Sequence, residues 1–252
     1  MTARGAYDER VPVPAESDGF NPDLSARTLD RWFIRSRLLE AVRREVPHMS
    51  GILFDVGCGR QPYRNLVTGH GSAVVQYIGI DIPSERYAER DVSWDGSRMP
   101  FQDERADYVL ATELLEHCAH PQHVLDELAR VLRPGGRLML TVPFLWPLHE
   151  TPYDEHRYTS YAVRRMLESA GLVEVEVRAL GGWDASLAQM LGLWARRRPM
   201  GSRKRRIVSQ LLVPVVRRLA ARDDSSQAFG EGIMFTGLVA TAMRPRTGKT
   251  PG

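Results

Sequence analysis

Phe54-Asp55-Val56-Gly57-Cys58-Gly59, with Ile78-Gly79-Ile80-Asp81-Ile82 about twenty residues further on, is the stretch whose reading decides the fold. Ile52 to Val56 is a short apolar run that ends at a glycine, which is how a buried strand enters a tight turn. Glycines at 57 and 59 leave the backbone open to a ligand because no Cβ stands in the way. The helix expected next presents free N–H groups to that ligand. Asp81 closes a second apolar run, Val74 to Ile80, and an acid in that place accepts hydrogen bonds from ribose hydroxyls in nucleoside-binding folds. Taken alone, Gly-x-Gly is as well explained by a tight turn; the acid at this spacing is what gives it weight.

Outward from this pair, strand and helix patterns alternate. Tyr108 to Ala111 and Leu138 to Val142 read as strands, and Val173 to Val177 and Ile233 to Ala242 as two more. Between them, Pro121 to Leu132 places Val124, Leu125, Leu128, Val131 and Leu132 on one helical face. That helix is expected to stop in a turn at Arg133-Pro134-Gly135-Gly136. Thr159 to Ala170 reads as a capped helix ending at Gly171, and Ser25 to Glu45 as an N-terminal one. Alternation of this kind predicts an α/β fold with a doubly wound, mostly parallel sheet. The expected division is a flexible tail over 1–24, a main domain over 25–180 and 231–244 with residues 25–50 as a helical cap, and a second tail over 245–252. Residues 181–230 form a long insertion between the last two strands, helical by its pattern and kinked or divided at Pro214.

The chain has 252 residues, 43% hydrophobic and 26% charged, the composition of a globular protein with room for a large core. No apolar run is long enough to span a bilayer, the N-terminus lacks a signal peptide's apolar segment, and Cys58 and Cys118 are too few for a disulfide framework. A cytoplasmic protein is expected. Trp194 to Arg222 contains nine Arg, one Lys and no acid, so the net +3 divides into +10 there and −7 elsewhere. An anionic partner suits that segment, either a membrane met peripherally or, less well for want of spaced aromatics, RNA; a solvated face of arginine stems is the bland alternative.

Together with Met99-Pro100-Phe101, Ala106-Asp107-Tyr108-Val109, Glu113-Leu114-Leu115-Glu116-His117 and Leu132-Arg133-Pro134-Gly135-Gly136, these segments resemble the small-molecule class I S-adenosylmethionine-dependent methyltransferases, in family order from about Ile52 to Tyr158. The resemblance implies a Rossmann-like sheet of seven strands and S-adenosylmethionine as cofactor. Asp55, Gly57, Cys58 and Gly59 would line its methionine end, with Cys58 itself packing as a small hydrophobe. Asp81 would hold the ribose, Ile82 would lie against the adenine and Asp91 and Val92 at its edge. Thr112 and Glu113 would face it from the other side. The chain departs from the family in having Arg60-Gln61-Pro62 where many members have a third glycine.

A sulfonium methyl is already electrophilic, so the protein must seat a nucleophile in line and, for a hydroxyl, remove a proton. The segment Pro143 to Tyr158 leaves the carboxyl end of a strand, where open parallel sheets bind ligands. His149 and His156 are the leading candidate bases, with Glu150 beside them. His117, Tyr153, Arg157 and Tyr158 are placed on the acceptor side. His117 is a weaker base candidate, and Arg157 and Tyr158 serve equally well as a lock on the next helix. His117, Cys118, His120 and His123 fit no closed zinc set, and no metal is expected. The expected activity is O-methylation of a small, sugar or lipid-linked acceptor. An RNA methyltransferase or a non-catalytic cofactor-binding module are the alternatives.

Overall fold

The computed structural model describes residues 23–84, 88–224 and 229–246. Apart from residues 23, 24, 245 and 246, the two expected tails lie outside the described residues. Seven strands form one sheet: β1 (Ser50–Val56), β2 (Ala73–Asp81), β3 (Val92–Ser93), β4 (Ala106–Thr112), β5 (Leu132–Pro143), β6 (Val173–Leu180) and β7 (Gly237–Met243). Their order is β3-β2-β1-β4-β5-β7-β6, parallel except for β7, which runs antiparallel to both β5 and β6. This is the doubly wound, mostly parallel sheet that the alternation predicts.

The central strands read as unbroken apolar runs because helices cover both faces. Successive residues point to opposite sides. Leu53 joins Leu38 and Val42 of α1 (Trp32–Glu45), along with Leu110 and Met139. Phe54 joins Leu125 and Leu128 of α3 (Pro121–Val131) and Val163 and Leu167 of α4 (Ser160–Ser169). Thr159 caps α4 by accepting the Ala162 N–H at 3.3 Å, as the sequence suggests. The chain leaves β1 toward β2 and β3, then returns to β4 on the other side. That reversal opens a crevice at the carboxyl ends of β1 and β4.

Four local expectations are corrected. The helix after the glycine loop, α2 (Arg64–Val67), is a single turn that begins five residues past Gly59. Gln61, at φ 53°, and Pro62 occupy the space in which a longer helix would start. The N-terminal helix starts at Trp32 rather than Ser25, because Ser25 and Thr28 bond to one another and to nearby backbone instead. Residues 133–136 open β5 rather than forming a separate turn, held by reciprocal backbone bonds between Gly135, Gly136 and Arg244. The insertion forms α5 (Trp183–Arg197) and α6 (Ser202–Arg222), and α6 runs through Pro214 undivided. Pro214 and Gln210, whose carbonyl the proline leaves without its usual donor, are both solvent-exposed, so water can replace the missing bond.

Helices α5 and α6 pack on each other and on residues 24–33, in a small core of Leu29, Ala188, Ala195 and Val216 beside Phe33, Ala185 and Ala220. Because β6 is parallel to β5, the insertion leaves and re-enters the sheet at its carboxyl edge, where Gly237 pairs with both Pro143 and Leu180.

Candidate active site

The turn after β1 and the end of β2 meet through one carboxylate. Asp81 accepts the Gly59 N–H at 2.6 Å on one oxygen and the Ile82 N–H at 2.7 Å on the other. Each oxygen keeps a lone pair for a further donor. Burial is the main reason that the Asp81 pKa lies above the usual carboxylate range. Gly57 has φ +73°, and a Cβ there would stand 2.9 Å from Leu114 Cδ1. Gln61 bridges from the loop to the Glu89 carbonyl. A Cβ on Gly79 would come within 2.5 Å of that Gln61 side chain. Position 57 therefore needs glycine, and a side chain at 79 would displace the Gln61 amide.

Asp55 lies beneath this loop, almost wholly buried. It accepts the Tyr77 hydroxyl on Oδ2, and its Oδ1 has no hydrogen-bond partner. Burial pushes its pKa up to about 7. Across the crevice, Glu113 is held at φ +52° by its own N–H bonds to the Thr141 carbonyl and hydroxyl oxygens, and its carboxylate accepts from Thr141 Oγ1 at 3.0 Å. Burial raises it also to about 7, against the pull of Arg35 and Arg157. Cys58 is buried, as expected of a packed thiol.

The side expected to face the acceptor is assembled from two segments. One is the single 3-10 turn Leu115–His117 after β4. The other, after β5, is drawn onto it because Glu155 and His156 both donate backbone N–H to the Glu116 carbonyl, at 2.8 and 3.2 Å. Within it, Asp154 has a side chain with 0% exposure that gathers four donors. These are the His149 backbone N–H (3.1 Å), His149 Nδ1 (3.1 Å) and two guanidinium nitrogens of Arg157 (2.6 and 2.8 Å). Although burial opposes it, this bonding holds Asp154 down at about 2. With Nδ1 engaged, His149 is left with Nε2 free to act on a ligand. Its ring meets that of His117 edge to face at 4.7 Å between centroids. Burial, then the neighbouring His149, lowers the His117 pKa.

Residues 54–140 match the model of a family described as a methyltransferase domain. Over this span the chain carries a methyltransferase domain of the class I S-adenosylmethionine-dependent kind. A curated relative, the 27-O-demethylrifamycin SV methyltransferase of Amycolatopsis mediterranei, is 35% identical over 122 residues, which is 42% of this chain and 43% of that protein. A human protein named Probable tRNA methyltransferase 9B is 29% identical over 104 residues, 39% of this chain and 22% of its own length. The chain thus spans less than half of either relative. A solved S-adenosylmethionine-dependent methyltransferase of Archaeoglobus fulgidus shares the fold with TM-score 0.51 at 17% identity, over 84% of this chain and 96% of that one.

The methyltransferase has residues that fit this cofactor. Asp81 has the free lone pairs to accept a diol at the tip of β2, and Ile82 is an exposed apolar surface beside it. Asp55 and Glu113 are carboxylates that burial makes reluctant to ionise, and a sulfonium cation bound near them would favour their charged forms. Thr112 ends β4 on the same rim.

Other expected positions are placed differently. Asp91 precedes β3 level with Gly79, whose N–H it accepts at 2.8 Å, and Val92 pairs with Ile80; neither reaches the rim. Trp94, just past β3, donates its backbone N–H to the Asp81 carbonyl at 2.9 Å. His156 contacts the Cys118 carbonyl through Nε2 at 3.1 Å, a backbone bond that holds the segment in place. Tyr158 is buried and donates to the Leu115 carbonyl at 2.9 Å. Arg157 also donates to the Trp146 and His156 carbonyls, so this pair is built as a lock. Glu150 faces the Asp81 carboxylate closely enough to raise its pKa, and Tyr153 is exposed.

Proposed function

We propose that the enzyme O-methylates a small or lipid-linked acceptor, with His149 receiving the hydroxyl proton. The observation that carries this reading is the His149–Asp154 pair, 3.1 Å apart, with Asp154 buried and held ionised. A hydroxyl is a poor nucleophile until its proton is removed, and an imidazole oriented by a carboxylate is the usual way to remove it. The name of the Amycolatopsis relative, for an O-demethyl substrate, supports the same reading.

When bound, S-adenosylmethionine supplies an electrophilic methyl carbon. Asp81 would hold the ribose, the Gly57–Gly59 turn would lie along the methionine end, and Glu113 and Asp55 would face the sulfonium region. His149 Nε2 takes the acceptor proton, while its Nδ1–H stays on Asp154. The 143–158 segment, pinned to the Glu116 carbonyl, keeps water from the methyl carbon.

The insertion supports a lipid-linked acceptor met at an anionic surface. The solvent-facing line of α5 is Trp183, Leu187, Met190 and Trp194, an apolar stripe with one residue per turn. Arg198 stacks over Trp194 at 4.3 Å, and Arg203, Lys204, Arg206, Arg217, Arg218 and Arg222 are exposed on α6. Basic charge beside exposed tryptophans suits a headgroup boundary. An RNA acceptor is the second reading, favoured by the same charges and by the name of the human relative.

Incubating the purified enzyme and labelled cofactor with a lipid extract, a small-molecule extract and total RNA tests the class of acceptor. His149→Ala and Asp154→Asn should lower turnover by about 100-fold or more at near-parental cofactor affinity. Label confined to RNA, or parental turnover in both variants, refutes the reading.

A further inference from the structure

Glu116 is buried with 0% exposure, and neither of its carboxylate oxygens has a hydrogen-bond partner. A buried carboxylate without donors is costly unless it is neutralised or ligates a cation. Two imidazoles face it. His117 Nε2 lies 3.7 Å from Glu116 Oε1, and His117 Nδ1 is itself buried without a partner. His149 stacks edge-on against His117, and one candidate ligand atom from each of the three residues lies within 4.8 Å of the other two. The outer nitrogen of His149 is taken by the Asp154 carboxylate, the arrangement that orients most metal-bound imidazoles.

We infer that Glu116, His117 and His149 hold a divalent cation at the acceptor end of the site, and that the cation binds the acceptor oxygen. The inference rests on the O-methylation reading and changes its proton chemistry. Two imidazoles and one carboxylate leave open positions on a first-row divalent ion. A hydroxyl on one of these positions becomes more acidic, since the ion stabilises the alkoxide. Its O–H bond breaks and the proton passes to solvent water. The oxygen then bonds to the methyl carbon as the carbon–sulfur bond breaks, and the bonding pair stays on sulfur to give a neutral thioether. The ion leaves the cycle unchanged. His149 Nε2 is then a ligand, and the task of lowering the acceptor's proton affinity moves to the ion. Asp154 orients the ring in either case.

Sequence spacing hid this cluster. His117, Cys118, His120 and His123 form no ligand set, and the third ligand stands thirty-two residues beyond His117 on another loop. The backbone bonds from Glu155 and His156 to Glu116 bring the two segments together.

The test is Mn²⁺ titration of the purified full chain, followed by electron paramagnetic resonance, with Zn²⁺ followed by calorimetry. One ion per chain is expected. Its affinity should fall by about 10-fold or more in His149→Ala, Glu116→Gln and Asp154→Asn, while cofactor affinity stays near parental. Turnover should be lost to a chelator and restored by the ion. His149 is partly exposed, so His149→Ala carries the test if Glu116→Gln misfolds. Absence of binding by both ions, or binding unchanged in His149→Ala, overturns the inference. Cofactor affinity and chelator-insensitive turnover, read on the same samples, report separately on the O-methylation reading.

Discussion

Asp55 couples the cofactor loop to pH. Its folded-state pKa of about 7 lies above the ordinary aspartate value, and burial is the largest cause. A carboxyl whose pKa is raised by folding favours the native state while it is protonated in both states. That contribution is complete below about pH 4 and disappears as pH climbs through about 7. Without cofactor, stability should therefore fall over this window, by roughly 4 kcal/mol at most at about 1.4 kcal/mol per pKa unit. Asp55→Asn, which keeps the shape of the neutral acid, should flatten the urea midpoint across pH 4 to 8. A variant with the parental slope would place the titration elsewhere. Asp154 has the opposite sign: held at about 2, it contributes above the ordinary aspartate range and is lost only as pH falls toward 2. Of these residues, Asp55 and Asp81 are legible in the sequence because one is an acid inside an apolar run just before the glycine turn and the other ends an apolar run. Asp154 stands in the sequence as one of three acids in a loop, and only its four donors distinguish it.

Among the elements, the α5–α6 pair is the least predictable from local pattern. Its helices are visible as periodic apolar positions, but their neighbour is not. α5 lies against the segment just before α1, with Gln189 donating to the Asp30 carbonyl at 2.8 Å and Arg197 paired to the Asp30 carboxylate at 2.6 Å. Close approach at Gly192 permits this packing: a Cβ there would stand 2.2 Å from the Leu29 carbonyl oxygen. Gly192→Ala should destabilise the protein by about 1–3 kcal/mol through overpacking, measured by urea unfolding. If its stability matched the parent, that contact would not be rigid. α6 teaches a related point. Proline marks a break when its freed carbonyl is buried, and here Gln210 is at the surface, so the helix continues.

At the scale of the whole molecule, the charge is divided: a −7 body carries a +10 segment, whose Arg197 lies over the Trp146 ring of the loop after β5. Among the described residues no helix is long and apolar enough to cross a membrane. A surface bearing Trp183, Leu187, Met190 and Trp194 should instead partition shallowly. The full chain should co-sediment with phosphatidylglycerol vesicles and far less with phosphatidylcholine ones. High salt and the Trp183→Ser, Trp194→Ser double variant should each weaken that binding. Equal partition to both vesicle types, or none to either, would remove the membrane from the functional reading. The alternation of strands and helices, the glycine turn and the acid at the end of β2 could be read along the chain, because period, turn chemistry and an acid at the end of a strand are local properties; the cofactor came from the family resemblance those segments carry. The meeting of Glu116, His117, His149 and Asp154 was decided by the tertiary structure alone. Two loops from neighbouring strands converge there through backbone hydrogen bonds, and backbone bonds between distant segments leave no mark on side-chain spacing.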